Sequence, residues 1–361
     1  MSSLGLSSYH RAQALGDGAF GCVVSVFNDD GLQFASKSFG DDASDGEYDS
    51  DDDEENDGTL DLGLVREVSS LRLLMAPCFF HKNIMPLHDI TVTGESDLIS
   101  LIMPMYPMNI GKAIESKVIT SRVEKIRVAH EAISALAYLH DNSIIHRDVK
   151  PDNIMMDANN SPILIDFSLC KVLAPMEEVS METHTGNIGT ACYISPECYN
   201  FEPYSYEADS YSIGVVLLEL FQGELLTDTV GRDKAALVVV QKMVAELPAN
   251  PFPDVLRKLL NSNGEERITC RAALSEPVFL KNNFAVPSVS RQFENALEWA
   301  HPSAREGDEN LAPAPVGKKR GNGKVDAGKG GELGGQQQQL MARISAILGV
   351  ERAQTLAAAK Q

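Results

Sequence analysis

The string His146-Arg147-Asp148-Val149-Lys150-Pro151-Asp152-Asn153, followed by Asp166-Phe167-Ser168, limits what this chain can fold into more than any other segment. Eighteen residues separate Asp148 from Asp166, which suits a strand, a turn and a second strand. Phosphoryl transfer asks a protein for little covalent chemistry. It needs in-line positioning, charge neutralisation by a divalent metal, and an acceptor for the hydroxyl proton. Asp148 suits the proton acceptor or orienter, and Lys150 would balance charge on the group in transfer. Asn153 and Asp166 offer hard oxygens of the kind Mg²⁺ takes. A plain polar loop between two strands has no need of so particular a string.

Upstream, Gly16-Asp17-Gly18-Ala19-Phe20-Gly21 has the spacing of a phosphate-binding loop. Alone it is weak, since an ordinary hairpin turn reads the same way. A dinucleotide-binding reading requires a helix straight afterwards, whereas β-branched Cys22-Val23-Val24-Ser25-Val26-Phe27 follows. That context predicts a hairpin whose tip closes over phosphates with backbone N–H groups, with glycines where side chains would block the approach. Lys37 lies sixteen residues beyond Gly21, near the end of the next strand-like piece, and would project a point charge toward the phosphates. A carboxylate is needed to position it. Glu67, on a stretch with Leu64, Val68, Leu71 and Met75 at helical spacing, is the natural candidate.

On these motifs the chain resembles the eukaryotic-type serine/threonine protein kinases over about residues 9–279. The resemblance implies an α+β, two-lobed fold. Its N-lobe, residues 9–103, would be a small antiparallel sheet with one main helix. A hinge at 104–107 would lead to a larger, mainly helical C-lobe at 108–285. ATP and Mg²⁺ (or Mn²⁺) are the implied cofactors, and a protein with a serine or threonine acceptor the implied substrate. Lys150, two places after Asp148, resembles the serine/threonine branch and not the tyrosine branch. The implied nucleotide contacts are Gly16, Gly18, Phe20, Gly21, Val23, Ala35, Lys37, Met103 as gatekeeper, Met105 at the hinge, and Met155. His146 and Phe167 would be structural supports of the loops that carry Asp148 and Asp166. The stretch from Gly189-Thr190 to Ser195-Pro196-Glu197 resembles the end of an activation segment, with Ser195 where alanine is usual. Asp209 resembles the buried aspartate that anchors the catalytic loop, and Arg267 stands where a partner for Glu197 is expected. Arg147 is a cation that relatives often compensate with an activation-loop phosphate. Thr183 and Thr185 are the candidate sites for it, and Thr190 belongs to the substrate platform.

The chain departs from the family in two places. Ser168 stands where glycine almost always follows Asp-Phe. If serine there adopts a left-handed conformation the cost is about 1–2 kcal/mol, which would slow the switch or bias it to one state. The rival reading is therefore a pseudokinase scaffold that uses the fold for binding. The second departure is residues 41–58, which hold eleven acids and no base and stretch the separation of Lys37 and Glu67 to thirty residues. Such a segment is predicted to be a solvated loop, tolerated because loop-closure entropy grows slowly with length. It reads either as a solubilising loop or as a docking or regulatory element, with Ser50 before Asp51-Asp52-Asp53-Glu54 as an acid-directed phosphorylation site.

Those eleven acids supply more than half of the net charge of −20, so charge beyond them says little about substrate. It argues against nucleic-acid binding, which wants a basic face. The longest apolar run, at 213–221, is about half a membrane span. No signal peptide is visible, and the six cysteines lack metal-ligand spacing. The expectation is an intracellular protein, cytoplasmic or nuclear, without a membrane partner. Residues 1–8 read as an extension, 286–339 as a linker rich in Gly, Pro and Gln, and 340–361 as either a terminal helix or an unstructured end.

Overall fold

The computed structural model describes residues 9–18, 21–39, 81–93, 98–173, 191–226 and 235–287. The acidic segment at 41–58, the helix expected at 60–76 and the terminal stretch at 340–361 lie outside the described residues.

Five strands form the first layer: β1 (Tyr9–Gly18), β2 (Gly21–Asn28), β3 (Gln33–Phe39), β4 (Asp89–Thr93) and β5 (Leu98–Pro104). Their order is β1-β2-β3-β5-β4, and every neighbouring pair is antiparallel. Successive side chains along each strand point to opposite faces of this sheet. Val24, Val26, Phe34 and Ile102 share one face and form a small core of their own. The other face carries Val23 opposite Lys37, Ala35 opposite Met103, and Lys37 opposite Leu101. Leu101 and Met103 on that face join the large core of the second layer.

The second layer is helical and begins after β6 (Met108–Asn109) with α1 (Ile110–Glu115). Next comes α2 (Arg122–Asp141), which is buried on all sides from Val128 to Leu139. Ser121 caps its start by accepting from Glu124 N at 3.1 Å, three residues ahead of an acid in the first turn. Short strands β7 (Ile144–Ile145), β8 (Ile154–Met156), β9 (Pro162–Leu164) and β10 (Lys171–Val172) then fold back on α2. β6, β8 and β9 make one small sheet, and β7 and β10 another.

Further on lie α3 (Pro196–Tyr199), α4 (Glu207–Gln222), α5 (Ala235–Glu246), α6 (Pro251–Leu259), α7 (Cys270–Ala273) and α8 (Pro277–Leu280). The apolar run at 213–221 is the body of α4. Its body is core on every side: Ile213, Val215, Val216, Leu217 and Leu218 are fully buried. Among the described residues no helix is long and apolar enough to cross a membrane. Beyond α8, Phe284 stacks on His130, and Arg271 Nη1 donates to Pro287 O at 2.7 Å.

Gly214 lets α4 approach α6. A β-carbon there would sit 3.0 Å from Leu259 Cβ and 3.0 Å from Leu260 Cγ and Cδ2, and both leucines are fully buried with no room to yield. Helix propensity favours replacing a glycine by about 1 kcal/mol at most, less for a β-branched residue, and overpacking works against it. Gly214→Val is expected to lower unfolding free energy by about 1–3 kcal/mol in urea titrations.

Candidate active site

The site grows from the short hairpin of β8 and β9. Ile154 pairs with Leu164, and Ile165 N donates to Asn153 O at 2.9 Å just beyond that pair. Asn153 and Asp166, distant in sequence, therefore stand side by side at one end of the hairpin. A single 3₁₀ turn, Pro151–Asn153, brings Asn153 back under Asp148. Asn153 Nδ2 donates to Asp148 O at 2.8 Å and to Asp148 Oδ2 at 2.7 Å, and Lys150 Nζ reaches the same Oδ2 at 2.8 Å. One carboxylate oxygen is thus held by two donors, which fixes the direction of the other.

Asp209, on the first turn of α4, gives the preceding loop its shape. Its Oδ2 accepts from His146 N at 2.8 Å, and its Oδ1 accepts from Arg147 N at 2.9 Å. Arg147 sits between these anchors at φ 67°, a left-handed conformation that costs an arginine energy and persists only when neighbours impose it. His140, at the end of α2, places Nε2 2.9 Å from Asp209 Oδ2. Burial disfavours charge on both groups. The hydrogen bonds outweigh it, holding Asp209 below the usual carboxylate range and raising His140 from 6.5 to about 10. The ring of His146 accepts from Asp148 N at Nδ1 (3.3 Å) and faces Ile165 O through Nε2 (3.1 Å), which sets its tautomer with the proton on Nε2. It ties the loop to the segment after β9 and meets Phe167 edge-on, with ring centroids 5.5 Å apart. Phe167 itself is fully buried.

Asp166 turns toward the sheet, where Lys37 Nζ lies 3.0 Å from its Oδ1. Ser168 donates to the same oxygen from Oγ at 2.6 Å and from N at 3.3 Å. Burial opposes charge on Asp166, but Lys37 and Ser168 together hold its carboxyl below the ordinary value. The left-handed conformation expected at Ser168 is found two residues earlier, at Asp166 with φ 62°. Asp166 takes the strain because its carboxylate must turn back toward Lys37, and Ser168, 1% exposed, has no positive φ to accommodate.

Several of the residues singled out in the sequence are brought together here. Val23, Ala35, Lys37 and Met103 share one face of the sheet, and Met105 follows at the connection to the helical layer. On β8, Met155 is less buried than Ile154 and Met156, which point the other way into the core. Gly16 and Gly18 on β1 face Val23 and Gly21 on β2, and a β-carbon at Gly16 would meet open space. Lower down, Arg267 grips Glu197 through Nη1 at 2.5 Å and Nη2 at 2.9 Å, while its Nε donates to Asn261 O at 2.9 Å. Arg147 Nε donates to Leu169 O at 2.5 Å. Phe20, Glu67, Thr183, Thr185 and Thr190 lie outside the described residues.

A family model for the protein kinase domain matches residues 9–279, about three quarters of the chain. The chain belongs to the protein kinase family. The kinase is 36% identical over 151 residues to the serine/threonine-protein kinase STY46 of Arabidopsis thaliana, covering 42% of this chain and 25% of that protein. It is 31% identical over 225 residues to death-associated protein kinase 2 of Mus musculus, covering 59% of this chain and 58% of the relative. With the serine/threonine-protein kinase shk1/pak1 of Schizosaccharomyces pombe it shares 27% over 229 residues, 60% of this chain and 33% of the other. The kinase thus spans less than two thirds of these relatives' own lengths. The fold above is the two-lobed kinase fold, sheet first and helices after.

The family generally uses ATP with Mg²⁺, and the donor set fits a hard divalent cation. The amide hydrogens of Asn153 are committed to Asp148, which leaves its oxygen as the group for a metal. The donors on Asp166 converge on Oδ1, which leaves Oδ2.

His140 was not singled out in the sequence. The available signal was a histidine in the last turn of a long helix, four residues before the Ile144-Ile145 pair that leads into the loop. Removing one member of a buried ion pair strands the other, at about 3–5 kcal/mol. His140→Gln is expected to cost about that much at neutral pH. His140 carries a raised value in the folded state, so its contribution is complete below about 6.5 and disappears as pH climbs through about 10. Denaturant titrations of parent and variant should therefore converge between pH 7 and pH 10.

Proposed function

We propose that this chain transfers the γ-phosphoryl group of ATP to serine or threonine hydroxyls of protein substrates. The observation that carries the reading is the pairing of two prepared carboxylates. Asp148 is oriented by Lys150 and Asn153, and Asp166 is oriented by Lys37 from the opposite layer. In this reading Asp148 accepts or orients the proton of the attacking hydroxyl, through the oxygen its neighbours leave available. Lys150, already beside Asp148, offsets negative charge as the phosphoryl group passes. Lys37 holds the nucleotide phosphates, with Glu67 as its second partner. Gly16, Gly18 and Gly21 cover them with backbone N–H groups. Asn153 and Asp166 would hold Mg²⁺, which when bound neutralises charge on the phosphates. Val23, Ala35, Met103, Met105 and Met155 would enclose the adenine.

Regulation belongs to the same reading: phosphate on Thr185 would pair with Arg147 and order the segment that leads to Glu197. Mass spectrometry should find active enzyme phosphorylated at Thr183 or Thr185; fully active enzyme bare at both would remove this step.

The decisive assay follows transfer of labelled γ-phosphate from Mg·ATP to a generic basic protein and to the kinase itself. Asp148→Asn should lower the rate by about 10²–10⁴-fold, the usual worth of a general base. Transfer that survives this substitution undiminished would show that the phosphate acceptor is activated elsewhere.

A further inference from the structure

Ser168 occupies the place where the family usually has a residue with no side chain, and its hydroxyl is neither exposed nor idle. Ser168 is 1% exposed, and Oγ donates to Asp166 Oδ1 at 2.6 Å. That distance falls in the short range of O–H···O⁻ bonds, which are roughly twice as strong as neutral ones. The backbone N–H of Ser168, the donor a glycine would also provide, reaches the same oxygen only at 3.3 Å. The third donor, Lys37 Nζ at 3.0 Å, comes from β3 in the opposite layer. Without the hydroxyl, the direction of the Asp166 carboxylate would rest on one long N–H contact and on a lysine belonging to the other lobe. With it, the segment that carries Asp166 supplies its own strong donor.

We propose that Ser168 is a positioning residue that fixes the Asp166 carboxylate through Oδ1 and so presents Oδ2 to the divalent metal independently of Lys37. The proposal rests on the reading of Asp166 as a metal ligand. The chemistry is that of an outer partner of a metal-binding carboxylate: a hydrogen bond to one oxygen restricts rotation about the last side-chain bond and directs the other oxygen. Ser168 is enclosed, and its Oγ and N both donate to Asp166 Oδ1, which is the position of a supporting group and not of one that meets substrate. The serine therefore strengthens a site that glycine would leave looser, and it no longer speaks for the pseudokinase reading.

The test is a Mn²⁺ titration of the full chain by electron paramagnetic resonance, in the presence of a non-hydrolysable ATP analogue, so that metal affinity is read without turnover. Ser168→Ala removes one oxygen atom and keeps the β-carbon. It is expected to bind Mn²⁺ at least about tenfold more weakly, the lower end of what loss of an outer partner costs a metal site. The Mg²⁺ concentration for half-maximal activity should rise in parallel, while KM for the protein substrate stays unchanged. If the alanine variant loses its cooperative melting transition, Ser168→Gly gives the same reading. Parent-like Mn²⁺ affinity in the folded variant overturns the positioning role and leaves the reading of Asp166 intact. A parent chain that takes up no Mn²⁺ with the analogue overturns both.

Discussion

The carboxylate of Asp209 is the point on which the rest of the site hangs. Burying a charge is costly unless donors surround it, and Asp209 has two successive backbone N–H groups and the ring of His140. It sits on a helix that is enclosed on every side, so the position of its two oxygens is set by the core and not by solvent-facing loops. The loop from His146 to Arg147 takes its path from those oxygens. Arg147 is held in a conformation it would not choose, and Asp148 follows from there. The order of dependence runs from core helix to carboxylate, from carboxylate to loop backbone, and from loop backbone to Asp148.

A second chain of dependence meets the first at Asp148. The β8–β9 hairpin fixes Asn153 beside the segment of Asp166, and Asn153 returns both its amide hydrogens to Asp148. Loop and hairpin therefore support each other through one amide group. The ring of His146 closes the arrangement by bonding to both Asp148 N and Ile165 O. Strain and compensation lie close together: the left-handed residues Arg147 and Asp166 each adjoin a carboxylate whose hydrogen bonds repay the backbone.

Much of this was legible in the chain. The glycines at 16, 18 and 21 with the β-branched stretch straight after them marked the first hairpin, because that signal is local. The eight-residue string around Asp148 located the centre of the site. The partnership of His140 with Asp209 was not legible, since it joins the ends of two helices sixty-nine residues apart and neither residue type announces it. The misplacement of backbone strain at Ser168 has a different origin. The family pattern has glycine after Asp-Phe, and serine in its place suggests a strained left-handed residue there. The structure puts that conformation on Asp166, where a carboxylate aimed at Lys37 decides the backbone.

The two three-residue strands of the small hairpin act as a caliper. Asn153 and Asp166 are mounted on its two arms, so the span between them is set by strand register within one lobe. Lys37 is mounted on the other lobe and reaches across to Asp166. Any rotation of one lobe against the other changes the reach of the lysine and leaves the caliper's opening as it was. Breathing of the cleft would thus lengthen or shorten the Lys37–Asp166 contact while the spacing of Asn153 and Asp166 keeps its setting throughout.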